Sequence, residues 1–392
     1  MKNTKIVTIL PLILALLVVN QSYSQLSINK PALDSLLVAC KKSHSADWVV
    51  YFNGKPIANY AAAENATPSA CFSVLKSISA IAVGKLIADK KINSLDQPVS
   101  DFFPEWKQGL KSKITIKHLL NHTSGMACDE PDDAYFASPN VVQHALCTDI
   151  IDTPGTKFNY NSKAFLLLLG IIGKASGTPT DKYLENEIFS PLNIRNYKWD
   201  YDASGNVKEL QTTSSELVKI GQLVLNKGNW NNKRLISEGW LHQMVEPSQT
   251  FALDCGLLWW IIPETTDYIV DDALISEFKK AGVKQSILDK FNTLKGVYTN
   301  ENIPSDKLKL AFGEEWQSVL DTELYPYYPM RSRRKYSSKI IGYKAEGYGG
   351  QFIVIYPDKN LVAARMVKMT SDYKAATDEM LDFPSYVYKI IN

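Results

Sequence analysis

The stretch Ala70-Cys71-Phe72-Ser73-Val74-Leu75-Lys76-Ser77-Ile78 places a serine at the mouth of a long apolar run and a lysine one helical turn inside it. A serine hydroxyl is a poor nucleophile until a neighbouring base takes its proton. On a helix, residues three apart share a face, so Lys76 lies beside Ser73. Burial disfavours the charged form of lysine, and a neutral amine there could act as the base. Serine–lysine pairs are a known route to an activated serine.

The spacing needs its context. Ser-x-x-Lys also occurs at Ser27, Ser276, Ser332 and Ser371. Ser27 stands near the start of the chain, just before Pro31, and the other three lie in polar, charged stretches that would solvate the lysine. Only Ser73 opens a run, Val74 to Ala88, that is apolar on most faces, as a buried helix is. Two readings of the pair stand at this point. Ser73 and Lys76 form a nucleophile–base pair, or Ser73 caps a helix and Lys76 snorkels outward.

Outward from this helix the composition is ordinary for a globular chain. Of 392 residues, 45% are hydrophobic and 21% charged, enough for one large core or two smaller ones. Lys2 and Lys5 precede the apolar run Ile6 to Val19, with small residues at Ser22 and Ser24. This reads as a secretory signal peptide over residues 1–24, cleaved after Ser24. The run is short for a membrane span, and Pro11 interrupts it. The expected location is therefore secreted or periplasmic, with no membrane span after cleavage. Without Lys2 and Lys5 the basic and acidic residues balance, and nothing in the charge points to nucleic acid. Five cysteines, Cys40, Cys71, Cys128, Cys147 and Cys255, leave at least one thiol unpaired in an oxidising compartment. Cys128 and Cys147 bracket a loop-like segment and are the expected disulfide. No Cys-x-x-Cys occurs, so no structural zinc is expected.

Along the chain, Pro31 to Ser45 reads as a helix. Asp47–Phe52 and Pro56–Ala61 read as strands around Asn53-Gly54, a hairpin signal. Helices follow from Ser73, over Thr115–Asn121, over Leu166–Lys174 with Gly177 as its stop, over Asp181–Phe189, and over Thr213–Lys227 capped by Ser214 or Ser215. Trp259–Pro263, Phe352–Tyr356 and Leu361–Val367 read as strands, and Tyr373–Ile391 as a closing helix. Residues from about 264 to 339 look like an insertion with helical spacing at Ile275, Phe278, Val283, Ile287, Leu288, Phe291 and Leu294. Strands early and late with helices between predict an α+β fold. Its antiparallel sheet would be flanked by N- and C-terminal helices, beside a mainly helical subdomain. Residues 25–392 then form one domain.

Four motifs occur in order: Ser73-Val74-Leu75-Lys76, Leu119-Leu120-Asn121-His122-Thr123-Ser124-Gly125, Pro154 to Ser162 with Tyr160-Asn161-Ser162, and Gly347-Tyr348-Gly349-Gly350-Gln351. Together they resemble the serine β-lactamase and penicillin-binding-protein superfamily, in its class C-like branch. That branch includes esterases, D-amino-acid peptidases and nylon-oligomer hydrolases. The resemblance covers about residues 30 to 263 and 340 to 390. It implies a β-lactamase-like fold, with Ser73 as nucleophile, Lys76 as its partner and Tyr160 as a proton relay. It also implies a substrate-binding edge at Ser162, Tyr348, Gly349, Gly350 and Gln351. The oxyanion hole would come from the N–H groups of Ser73 and Gln351, or of Gly350 if the alignment slips by one residue. Ser162 stands where β-lactamases keep Asn, and Tyr348 where they keep the Lys of Lys-Thr-Gly, which turns the expectation from β-lactams toward esters and amides.

The expected function is thus a serine hydrolase cleaving ester or amide bonds of a small-molecule or peptide substrate through an acyl-enzyme, with no metal and no organic cofactor. A DD-peptidase acting on cell-wall peptides is the rival within the fold, and a non-catalytic penicillin-binding-like receptor is the rival outside catalysis. Gly-x-Ser-x-Gly and His-Glu-x-x-His are both absent, and His118 and His122 are read as structural. Arg331, Arg333 and Arg334, just before the last motif, either wall the site and face an anionic part of the substrate or belong to a solvated basic loop.

Overall fold

A computed structural model describes residues 26–62, 66–128, 132–325, 327 and 330–392. The leader assigned to residues 1–24 lies outside them. A six-stranded antiparallel sheet runs in the order Lys55–Ala61, Ser45–Phe52, Leu361–Val367, Gln351–Tyr356, Ile340–Gly347, Trp260–Pro263. The early hairpin forms as read. Asn53 at φ 51° and Gly54 at φ 71° supply the two left-handed positions that a two-residue turn requires.

The central strands are covered on both faces, and their alternation sorts residues between two cores. Ile353 and Ile355 join the large core with the helices Val74–Ala88, Ser162–Ser176 and Ser214–Leu225. Phe352, Val354 and Tyr356 face the other way, onto the helices Lys30–Lys42 and Phe383–Tyr388. The α+β sheet with terminal helices is therefore as the sequence reads. The closing helix is not one piece. It breaks into Ala375–Asp378 and Phe383–Tyr388, with Met380 at φ 47° between them and Pro384 in the first turn of the second.

Helix Val74–Ala88 sits in the large core with all but three of its 15 residues buried. Its approach to helix Glu238–Met244 is close. A Cβ on Gly84 would lie 2.1 Å from the Trp240 ring, and Trp240 Nε1 donates to Ala80 O at 3.1 Å. Ser77 Oγ donates to Leu258 O at 2.6 Å and Trp259 Nε1 to Ser77 O at 3.0 Å, so the helix start is tied to the segment that enters the edge strand.

Residues 264–339 carry their own sheet, Gly296–Thr299, Thr266–Val270 and Arg333–Tyr336, with four helices packed around Phe278, Phe291, Leu308 and Leu320. The helical spacing read from Ile275 to Leu294 corresponds to helices Asp272–Ala281 and Gln285–Thr293. No disulfide joins Cys128 to Cys147, which corrects that expectation. Cys128 Sγ meets Tyr160 O at 3.6 Å, and Cys147 Sγ accepts from Gln143 Nε2 at 3.5 Å at the end of its own helix.

Candidate functional site

Ser73 caps helix Val74–Ala88 without using its side chain for the cap, which leaves the hydroxyl to other partners. Lys76 Nζ donates to Ser73 Oγ at 2.9 Å, and Lys76 is only 5% exposed. The outward, snorkelling reading of Lys76 is thereby excluded. Among the described residues no carboxylate lies within ion-pair distance of it. The ammonium instead lies over the rings of Phe165, at 4.8 Å, and Tyr160, at 5.1 Å.

Tyr160 is brought to the same cleft. Its ring stacks on Trp260, with centroids 6.2 Å apart, and lies tilted against the His122 imidazole at 4.4 Å. His122 is 2% exposed, and its Nδ1 accepts the Asn161 N–H at 3.3 Å. Burial, helped by the charge of Lys76, pushes the imidazole down to about 3. It is a neutral ring against the face of Tyr160. The sequence reads His122 as structural. It stands in a turn, at φ 57°, but the side chain also lines the cleft with Ser73, Lys76 and Tyr160. The only signal for this was its place in the Asn121–Gly125 motif.

Ser162 lies elsewhere. It is buried in the first turn of helix Ser162–Ser176 and does not line the cleft. Asn161 caps that helix through Ala164 N at 3.1 Å and holds Met126 O and Ala127 O through Nδ2 at 3.0 and 3.2 Å. Tyr160, at the end of this bonded segment, faces the cleft.

The last motif splits in the same way. Tyr348, Gly349 and Gly350 line a cavity of about 1020 Å³ that reaches Ser73, Tyr160 and Trp260. Gln351 does not line it. Its side chain is fully buried and spans the strands, donating to Val367 O at 2.9 Å and accepting from Val367 N at 2.7 Å. The Gly350 N–H closes the turn onto Gly347 O at 3.2 Å. Facing the nucleophile is the end of strand Ile340–Gly347. A Cβ on Gly347 would stand 2.4 Å from Cys71 O and 3.3 Å from Ser73 N, so only glycine lets the strand pass. The residue that follows this contact is Tyr348. The turn is fixed from behind by fully buried Arg365, whose Nη1 donates to Gly350 O at 2.8 Å and Nη2 to Asp378 O at 2.7 Å.

Two residues at this edge were not anticipated. Glu346 lines the cleft beside Ser73 and Lys76, and Lys344 pairs with it from two residues earlier on the same strand. Segment 264–339 walls the large cavity through Tyr268, Arg334 and Tyr336. Of Arg331, Arg333 and Arg334, only Arg334 lines that cavity. Arg333 bonds Asp271, Arg334 lies 3.6 Å from Asp254, and Arg331 covers the Trp316 ring at 5.4 Å. Among the described residues no cluster of three or more His, Cys, Asp or Glu is placed to hold a metal ion.

A family model described as β-lactamase matches residues 33–382. Beta-lactamase-like protein 2 of Dictyostelium discoideum is 26% identical over 216 residues, 52% of this chain and 37% of that protein. A putative penicillin-binding protein of Bacillus subtilis is 30% identical over 119 residues, 30% of this chain and 29% of that protein. The matched part spans about a third of the length of these curated relatives. Among solved structures, a putative β-lactamase from Bacteroides dorei superposes with a TM-score of 0.64 at 15% identity, covering 93% of this chain and 99% of that one. A putative 6-aminohexanoate-dimer hydrolase from Bacillus anthracis superposes with a TM-score of 0.60 at 15% identity, covering 91% and 82%.

Proposed function

The chain belongs to the β-lactamase family, and on that premise we propose that it is a serine hydrolase cleaving esters or amides of a small-molecule or peptide substrate through an acyl-enzyme. The observation that carries this reading is the 2.9 Å contact between the buried Lys76 amine and Ser73 Oγ. In the proposed sequence the Lys76–Tyr160 pair, carrying one proton fewer than the ammonium and phenol together, takes the Ser73 proton as Oγ attacks the carbonyl carbon. Tyr160, whose ring lies beside Lys76, passes that proton to the leaving group. The developing oxyanion is held by the N–H groups of Ser73 and Tyr348, the residues on either side of the contact at Gly347. Water then releases the acyl group. The basic, apolar leader at Lys2 to Val19 supports export, so we place this chemistry outside the cytoplasm.

The supporting pattern extends beyond the pair. A buried lysine is expected to pair with a carboxylate, and this one meets a serine and two aromatic faces instead. A cavity of about 1020 Å³ opens on that serine, large enough for a drug-sized or peptide ligand. Esterase EstB of Burkholderia gladioli is 28% identical over 143 residues, 31% of this chain and 36% of that protein; ester substrates are therefore the first to try. Ser73→Ala should lower p-nitrophenyl ester hydrolysis by at least about 10³-fold while leaving the melting temperature unchanged. Full activity in that variant would sink the reading.

A further inference from the structure

Glu209 is a partly buried acid that the proposed chemistry leaves without a task. It lies on strand Val207–Thr212, whose neighbour Ser69–Ala70 runs directly into the nucleophile turn. The ladder pairs Ala70 with Gln211 and continues through Cys71 N to Leu210 O at 2.9 Å. From there the Glu209 carboxylate reaches the turn. Its Oε1 accepts from Leu210 N at 2.8 Å and meets Cys71 Sγ at 3.7 Å, and the nearby Phe72 amide favours the ionised form of the carboxylate.

Phe72 is where this contact matters. It stands at φ 48°, left-handed backbone that a bulky residue adopts only when its surroundings hold it there. The next residue is Ser73. The Phe72 ring meets the Tyr348 ring edge-on at 5.7 Å. One backbone conformation therefore sets the Ser73 hydroxyl, the Ser73 N–H and the approach of Tyr348.

We propose that Glu209 is a positioning residue of this site: its ionised carboxylate holds Cys71–Ser73 in the geometry that aims Ser73, and protonation loosens that hold. The proposal rests on the reading of Ser73 as nucleophile. An ionised acceptor makes shorter, stronger bonds to N–H donors than a neutral one, and a protonated carboxyl gives up part of its accepting capacity.

The charge state changes in a useful range. Burial pushes the carboxyl up to about 7, against the Leu210 amide, the Lys76 charge, the Cys71 thiol and the Phe72 amide, which all favour the ion. Among the described residues, the groups facing it are Cys71 and Lys76 on the nucleophile side and Asp200, its register partner across the ladder. Asp200 accepts from Gln211 Nε2 at 2.7 Å. Burial and the Glu209 charge hold the Cys71 thiol well above its ordinary range, so it remains a donor near neutrality. His122 titrates far lower, at about 3, and is not a source of an inflection near 7.

The test is the rate of Ser73 labelling by a fluorophosphonate probe as a function of pH, on the full chain. The wild type should label faster through an inflection near 7. Glu209→Gln keeps the shape and removes the charge. It should lose the inflection and label roughly 10-fold more slowly or worse at high pH, as displaced nucleophiles do. With p-nitrophenyl acetate the loss should fall on kcat and leave KM unmoved. Cys71→Ala removes a donor that favours the ion, so its inflection should move upward. An unaltered inflection in Glu209→Gln overturns the proposal. If that variant does not fold, an unmoved inflection in Cys71→Ala overturns it. A wild type labelled at Ser73 with no inflection near 7 overturns the proposal alone. A wild type never labelled at Ser73 overturns the reading of the site and the proposal with it.

Discussion

His122 sits between the folded core and the cleft, and its charge state can be read in stability. The folded imidazole resists protonation down to about 3, below the ordinary 6.5. Between those values the unfolded chain binds a proton that the folded chain refuses. Stability contributed by the neutral ring is therefore complete above 6.5 and is lost as pH falls toward 3. The loss is on the order of a few kcal/mol, since each tenfold change in proton affinity is worth about 1.4 kcal/mol. His122→Asn should flatten the decline of the urea midpoint over this range. An identical slope in both proteins would show that the ring is not held neutral by the fold. The residue scale is also where the sequence was least complete. Ser73, Lys76 and Tyr160 were legible because their spacing and motif place them directly. Gln351 and Ser162 were assigned by position in a motif, but the Gln351 side chain bonds Val367 on the neighbouring strand and Ser162 is buried in the first turn of a helix. Glu346 and Glu209 carry no local signal. Their importance comes from which strand ends abut residues 71–73, and that is a long-range fact.

Among the elements, residues 264–339 form the piece most separable from the rest. Pro263 pairs with Ile340, and Glu264 N donates to Lys339 O at 2.8 Å, so the two ends of the segment meet. Its apolar residues form a core of their own around Phe278 and Phe291. A short turn could close strands Trp260–Pro263 and Ile340–Gly347 directly, and shortening a loop between fixed ends lowers its closure entropy. Replacing residues 265–338 by such a turn should leave cooperative unfolding and Ser73 labelling intact. It should raise KM for bulky esters, because Tyr268, Arg334 and Tyr336 no longer wall the cavity. Loss of labelling in a folded excision variant would mean the segment holds the nucleophile and is not merely a wall. Helical spacing made this core readable from Ile275 to Leu294. The strands Thr266–Val270, Gly296–Thr299 and Arg333–Tyr336 were not foreseen, since they pair with one another across the segment and are short. The broken closing helix was missed for a related reason. The apolar spacing from Tyr373 onward fits a helix, and Arg365 instead takes the carbonyls of Asp378 and Glu379, at 2.7 and 3.1 Å, to secure the Gly350 turn.

At the scale of the molecule, the chain brings its beginning and end together to build one sheet and sets the nucleophile helix beneath it. Ser45–Phe52 pairs with Leu361–Val367, and strand Ile340–Gly347 carries its last residue up to the Ser73 backbone. The α+β class was legible from strands at both ends of the sequence, and the ladder order was not, because register depends on partners hundreds of residues apart. This arrangement ties the proposed chemistry to the fold: the Ser73–Lys76 turn, Tyr160 and Tyr348 come from three separate stretches and meet only when the sheet closes. The most direct test is a chemical quench. The protein is mixed with a slowly deacylated p-nitrophenyl ester, stopped in acid, and analysed by intact mass and peptide mapping. The account predicts one added acyl group, on the peptide containing Ser73, and none in Ser73→Ala. An acyl group mapped to any other residue, or turnover that continues in Ser73→Ala, would contradict it.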